Sequence, residues 1–155
     1  MKKPCVFLTG ATGGMGFQGL IRMLPDSDVY ETLILARDSK KNREILAPYL
    51  DAPGLTIVWG DLNDYDTVYR CVEKADLVLH VAAFVSPAAD YYPKEAMQVN
   101  YGSVKSLIRA IREQGRAEAV KFVYIGTVAE TGDRMPPLHW GRVGDPIKPS
   151  IFDYY

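Results

Sequence analysis

Short apolar runs alternate with longer amphipathic ones along this chain. Val6-Phe7-Leu8 is a continuous apolar run ending at a cluster of glycines, the pattern of a strand buried on both faces. From Gly14 to Leu24 the residues Phe17, Leu20, Ile21 and Leu24 fall at helical spacing, and Pro25 helps to stop that helix. Thr32 to Ala36 predicts a second strand, and Ser39 to Leu50 a second helix with Ser39 as its N-cap. Leu55 to Trp59 predicts a third strand, Asp64 to Val72 a short helix capped by Asp64, and Leu77 to Val81 a fourth strand. A long helix is expected from about Pro93 to Gln114. There Met97, Tyr101, Val104, Ile108 and Ile111 step by four, three, four and three into one apolar stripe. Lys105, Arg109 and Arg112 fall on the other side, and Gly115 suits the C′ position. Ala119 to Ile125 predicts a fifth strand, and Glu130 to Ser150, rich in Pro and Gly, reads as a long loop.

Strand and helix in alternation argue for an α/β fold, a doubly wound parallel sheet with helices on both faces. Right-handed crossovers leave few topologies for it. Ligands in such sheets bind at the carboxyl ends of the strands, near the point where strand order reverses. Composition narrows the classes further. The 155 residues suit one domain. Hydrophobic residues at 48% and charged residues at 24% exclude disorder, collagen and coiled coil. Lys plus Arg is 18 against 19 Asp plus Glu, so there is no basic excess to draw in nucleic acid or an anionic membrane. Cys5 and Cys71 lie far apart with no His-Cys cluster, which argues against a disulfide framework or a metal site. No apolar run approaches the ~20 residues of a membrane span, and the N-terminus lacks the long apolar region of a signal peptide. The expectation is a cytoplasmic domain with neither nucleic acid nor membrane as partner.

The candidate chemistry sits at the strand ends. The first strand runs into Thr9-Gly10-Ala11-Thr12-Gly13-Gly14-Met15-Gly16, with glycines 10, 13 and 16 spaced G-x-x-G-x-x-G. Gly10 permits a tight turn, Gly13 lets backbone approach a pyrophosphate, and Gly16 lets the helix lie close on the strand. Thr12, Gly14 and Met15 complete the loop, and the helix N-terminus offers unpaired N–H groups to phosphate. A glycine-rich turn with no ligand is the plain alternative, which the strand–turn–helix placement disfavours. No Gly-Lys-Ser/Thr follows, so a nucleotide-triphosphate loop is excluded. The second strand ends in Arg37-Asp38-Ser39. An acid about 20 residues beyond the glycines binds the ribose of NAD, whereas an arginine suits the 2′-phosphate of NADP. Arg37 comes first off the strand and favours NADP, with Ser39, Lys40 and Arg43 adding donors and charge. Reading Asp38 as the ribose acid gives NAD instead, and a solvated helix start gives neither. After the third strand come Gly60-Asp61-Leu62, where Asp61 either accepts from an adenine amino group or serves as a turn residue. In His80-Val81-Ala82-Ala83 the small Ala82 and Ala83 let a flat cofactor pass, while His80 reads as a satisfied core histidine. Asn100, on the long helix, is placed to hold backbone or a water.

Together these fragments resemble the extended short-chain dehydrogenase/reductase family, in its NAD(P)-dependent epimerase/dehydratase group. The glycine motif, Gly60-Asp61-Leu62, His80-Val81-Ala82-Ala83 and Val99-Asn100 with Gly102 match the family's motifs in order, over nearly the whole chain. The resemblance implies a Rossmann-type fold and NADP, or NAD, as cofactor. It also implies hydride transfer between the nicotinamide and a small-molecule carbonyl or nucleotide-sugar substrate. The family's active site uses a Ser or Thr, a Tyr and a Lys. Thr127, in Tyr124-Ile125-Gly126-Thr127, takes the first role, although the family usually has serines where Ile125 and Gly126 stand. Tyr155 takes the second as general acid/base, with Tyr154 as the alternative, and the lysine would lie beyond Tyr155. A free tyrosine titrates near ~10, so nearby positive charge must lower it. Residues 1–155 are therefore expected to form a single NAD(P)-binding domain, incomplete after its fifth strand, without a substrate domain and inactive alone. A non-catalytic NAD(P)-sensing regulatory protein is the alternative, and Thr127 and Tyr155 argue against it. The fifth strand is expected at a sheet edge, with self-association there or on the Met97–Ile111 helix, through which the family often dimerises. Residues 130–155 are expected to be poorly anchored.

Overall fold

Five strands rich in β-branched and large apolar residues pair in parallel into one sheet. They are β1 (Cys5–Thr9), β2 (Glu31–Ala36), β3 (Leu55–Trp59), β4 (Leu77–His80) and β5 (Lys121–Tyr124), in the spatial order β3-β2-β1-β4-β5. The computed structural model describes residues 2–127 with 143, 144 and 147, so Tyr154, Tyr155 and most of the expected loop lie outside the described residues. β1 is buried along its whole length, with Phe7 opposite Leu33 on one side and Val78 on the other. Strand order reverses between β1 and β4, which places the ligand-binding crevice of such sheets at their C-terminal ends. This is the predicted Rossmann-type arrangement.

Alternation along each strand divides the core into two layers. Phe7, Leu33, Leu35 and Val78 face α3 (Tyr65–Lys74) and α6 (Ser103–Glu113), which bring Val68, Val72, Leu107 and Ile111. Leu8, Ile34 and Ala36 face the other way, against Leu20 of α1 (Gly14–Met23) and Leu46 of α2 (Lys40–Leu46). Two short helices, α4 (Ala88–Tyr91) and α5 (Pro93–Ala96), precede α6.

The single helix predicted from Pro93 to Gln114 is interrupted by a π-helical segment, Met97–Gly102. The extra residue per turn changes the phase of the helix, so a four-three step across it no longer follows one face. The predicted stripe is corrected accordingly. Met97 is 56% and Tyr101 57% exposed, and Ile108 is also exposed, whereas Ser103, Leu107, Ala110 and Ile111 face the core. Pattern reading placed Ile111 on the buried side and missed the rest of this face because a serine and an alanine occupy half of it. At the sheet margin β5 is the outermost strand on its side among the described residues, with Val123, Tyr124 and Ile125 exposed, as expected of it.

A line of polar groups joins β1, β4 and α6 across the buried layer. The Thr9 hydroxyl accepts hydrogen bonds from the backbone N–H groups of Val81 and Ala82, both at 3.2 Å, and lies 2.7 Å from Nδ1 of His80. With both acceptor positions filled, its own proton goes to Nδ1. The ring proton of His80 then sits on Nε2 and is donated to the Ser103 hydroxyl at 3.2 Å, which in turn donates to the Val99 carbonyl. His80 is thus a satisfied core histidine, 1% exposed, stacked against Phe122 and Tyr124. Burial pushes its pKa down to about 4.

Two outcomes are expected. Leu107→Ala should lower the unfolding free energy by about 2–5 kcal/mol in urea titrations, against ~0.5 kcal/mol or less for Met97→Ala. Equal losses would return the core face to the predicted stripe. The second concerns acid. Because His80 binds its proton less readily when folded, the unfolded chain holds more protons from the ordinary 6.5 down to about 4, and stability rises with pH across that window. Stability should fall by on the order of 3 kcal/mol as pH drops from 7 to 4. His80→Gln, less stable at pH 7, should show a flatter dependence; an unchanged slope would assign the acid sensitivity elsewhere.

Candidate functional site

The glycine turn forms where β1 leaves the sheet. Gly10 has φ +76°, and a Cβ there would lie 2.7 Å from the Ala82 nitrogen, so β1 and β4 close on each other only around glycine. A Cβ on Gly16 would lie 2.1 Å from the Gly10 carbonyl oxygen, which is how α1 seats directly on the turn. The Gly13 N–H donates to the Gly10 carbonyl at 2.9 Å and closes the loop. These are the roles read for Gly10 and Gly16 from their spacing. Gly13, Gly14 and Met15 are exposed, Thr12 is half-buried, and Gly16 is buried.

The first turn of α1 is left open. Gly13 is its N-cap and brings no side chain, and no acid occupies the turn. Its neighbours differ. Ser39 caps α2 by accepting from the Asn42 N–H, and Asp64 caps α3 by accepting from Asp66 and Thr67. The N–H groups of Gly14, Met15 and Gly16 therefore point out of the helix without intrahelical acceptors, with the positive end of its dipole behind them. An open turn flanked by two glycine-dictated close approaches fits a diphosphate group.

The β4 exit borders this turn. Thr9 holds Val81 and Ala82 there, and Asn100 clamps the next stretch, with its Oδ1 accepting from the Phe84 N–H at 2.7 Å and its Nδ2 donating to the Phe84 carbonyl at 2.9 Å. Asn100 serves the site by fixing this loop, the backbone-holding role read for it. Ala82 is half-buried and Ala83 exposed.

At the ends of β2 and β3 an open cleft of about 530 Å³ is lined by Arg37, Asp38, Ser39, Gly60 and Asp61. Arg37 is exposed, and among the described residues no acid or carbonyl takes its guanidinium; its own carbonyl accepts from Asn42. Arg43 is differently placed from the free donor read in the sequence. Its Nε and Nη2 donate to the two oxygens of Asp38 at 2.6 and 2.8 Å. Asp61 accepts from the Asn63 N–H at 2.8 Å, so the turn reading holds while the residue still lines the cleft. Leu62 packs on the core beside Val58. Thr127 follows β5, half-buried, at the same edge of the sheet, because all five strands run parallel.

The structure thus brings Gly10, Gly16 and Ala82 into one crevice and Arg37 and Asp61 into one cleft. Sequence reasoning missed the roles of Thr9 and Ser103. The available signal was a hydroxyl at the end of an apolar strand and another on the inner face of a helix. No helix among the described residues is long and apolar enough to cross a membrane, and none of their His, Cys, Asp or Glu groups could hold a metal ion.

A model of the NAD dependent epimerase/dehydratase family matches residues 6–150. The chain is similar to the UDP-glucose 4-epimerase of Rickettsia bellii, 30% identical over 109 residues that cover 68% of this chain and 32% of that protein. It is also similar to an inverting UDP-N-acetylglucosamine 4,6-dehydratase of Campylobacter jejuni, 29% identical over 73% of this chain and 34% of that one. In fold it matches the UDP-Glc/GlcNAc 4-epimerase of Campylobacter jejuni with a TM-score of 0.80 at 21% identity, over 98% of this chain and 44% of the other. The chain spans about a third of the length of the two relatives. The family match runs through all the strands and the glycine turn itself, and the chain belongs to the NAD dependent epimerase/dehydratase family.

Proposed function

We propose that these residues form the dinucleotide-binding domain of an NADP-dependent enzyme of the epimerase/dehydratase type, acting on a nucleotide sugar or a related hydroxyl or carbonyl compound. The observation that carries this reading is the uncapped first turn of α1, set between the close approaches at Gly10 and Gly16. In it the N–H groups of Gly14, Met15 and Gly16 hold the pyrophosphate, with Thr12 and Gly13 shaping the loop. Arg37 takes the adenosine 2′-phosphate, supported by its unengaged guanidinium in the cleft. Asp61 and Leu62 border the adenine, and Ala82 and Ala83 leave room for the flat remainder of the cofactor. Asn100 keeps that wall in place through Phe84.

Bound NADP supplies a hydride acceptor or donor at its nicotinamide. The chain's own contribution is to bind, orient and move a proton. Thr127 hydrogen-bonds the reacting oxygen of the substrate. Tyr155, or Tyr154 in its place, gives that oxygen a proton or takes one from it. The nucleotide-sugar class is supported by the relatives, which are a UDP-glucose epimerase and a UDP-N-acetylglucosamine dehydratase.

Titration of the chain with each dinucleotide tests the cofactor assignment. NADP should bind more tightly than NAD, and Arg37→Ala should weaken NADP by about tenfold or more while leaving NAD nearly unchanged, the loss typical of a charge-assisted contact. Equal affinities in the unmutated chain would overturn the assignment.

A further inference from the structure

Asp38 is the carboxylate next to Arg37, and both line the cleft. Left to itself it would oppose a 2′-phosphate by like charge and would offer two acceptor oxygens to a ribose diol. It is not left to itself. Arg43, one turn into α2, reaches back and grips both its oxygens in a fork, at 2.6 and 2.8 Å. The guanidinium also lies 4.6 Å over the Trp59 ring at the end of β3, so three successive elements fix its plane. The side chains of Arg43 and Asp38 are 56% and 55% exposed. At that exposure solvent and salt screen the pair. Its consequence is local. It neutralises the acid next to Arg37 in the chain and occupies its acceptor oxygens, leaving Asp61 as the cleft's other carboxylate, while Arg43 spends two of its own donors doing so.

We propose that Arg43 is a specificity-determining residue that acts through Asp38, masking this acid so that the cleft accepts a 2′-phosphorylated adenosine in place of a 2′-hydroxyl one. The inference rests on the NADP reading of the site. Arg43 is here a positioning residue, not a phosphate ligand. Removing it should unmask Asp38, which then repels the 2′-phosphate and accepts from ribose hydroxyls. Removing Asp38 as well should erase that effect. A lysine would not reproduce the mask, because a point charge lacks the planar fork that engages both oxygens and stacks on Trp59.

The test uses calorimetric titration of the chain with 2′,5′-ADP and with 5′-AMP, probes that differ only in the 2′-phosphate. Arg43→Gln should lower the preference for 2′,5′-ADP about tenfold and tighten 5′-AMP, with the loss on 2′,5′-ADP shrinking as salt is raised. Asp38→Asn added to Arg43→Gln should return the preference to within about threefold of the unmutated chain, the loss having come from the acid. Thermal melts should show all variants folded, since both side chains are exposed. If the double variant stays as weak as Arg43→Gln, Arg43 touches the phosphate itself and the masking role is overturned. Unchanged preference in Arg43→Gln overturns it equally. A chain with no preference for 2′,5′-ADP refutes the NADP reading instead. Masking is then decided by 5′-AMP alone: it stands if Arg43→Gln tightens that ligand and Asp38→Asn cancels the gain, and it falls otherwise.

Discussion

The hydroxyl of Thr9 is bonded to two backbone N–H groups at the exit of β4 and to the ring of His80. It does so at the point where the sheet divides, with β2 and β3 built outward on one side of β1 and β4 and β5 on the other. Beyond this point the ladder between β1 and β4 ends, and Val81 and Ala82 would leave their N–H groups unpaired beside the core. Thr9 satisfies both. The β4 exit is thereby drawn so close to the glycine turn that a Cβ on Gly10 would meet the Ala82 backbone at 2.7 Å. The open turn of α1, the wall at Ala82 and Ala83, and the Asn100 clamp on Phe84 all take their positions from that junction.

His80 and Ser103 extend the same junction into the helical layer. Each hydrogen bond in the line from Thr9 to Val99 has a single direction, set by two filled acceptor positions on Thr9. A neutral imidazole is the only form that fits, because its Nδ1 must accept while its Nε2 donates. The depressed pKa and the π-helical segment belong to the same arrangement. The helix changes its turn between Met97 and Gly102, the stretch that carries Asn100 to Phe84 and delivers Ser103 to His80. Π-helical turns recur at functional sites, and here the turn serves the wall of the crevice.

The helix ends show a division of roles. α2 and α3 carry their own side-chain caps, in Ser39 and Asp64. α1 begins at a glycine and is open. Around the second cleft the charges are divided in the same way, with Arg37 unengaged and Arg43 committed to Asp38. Which arginine is left unengaged is decided by pairing, not by charge or distance along the chain.

Much of this was present in the order of residues. Five short apolar runs alternating with amphipathic helical stretches point to a parallel sheet, since parallel neighbours need a crossover connection between them. The glycines at 10 and 16 predicted the turn and the seating of α1, because a Cβ at either position would collide with backbone. Ser39 and Asp64 announced their caps. Other features depended on partners distant in sequence. Asp38 reads as a ribose acid and Arg43 as a free donor until the fork between them is in place. Thr9 and Ser103 are ordinary hydroxyls until His80, 71 residues from one and 23 from the other, is placed between them. Most of the inner face of α6 was hidden because Ser103 and Ala110 carry little apolar signal, and the π-helical segment takes Met97 and Tyr101 off its line. Local sequence determined where the chain turns, caps and extends. Tertiary structure decided which polar groups meet, because hydrogen bonds are specified by geometry across the sheet and not by spacing along the chain.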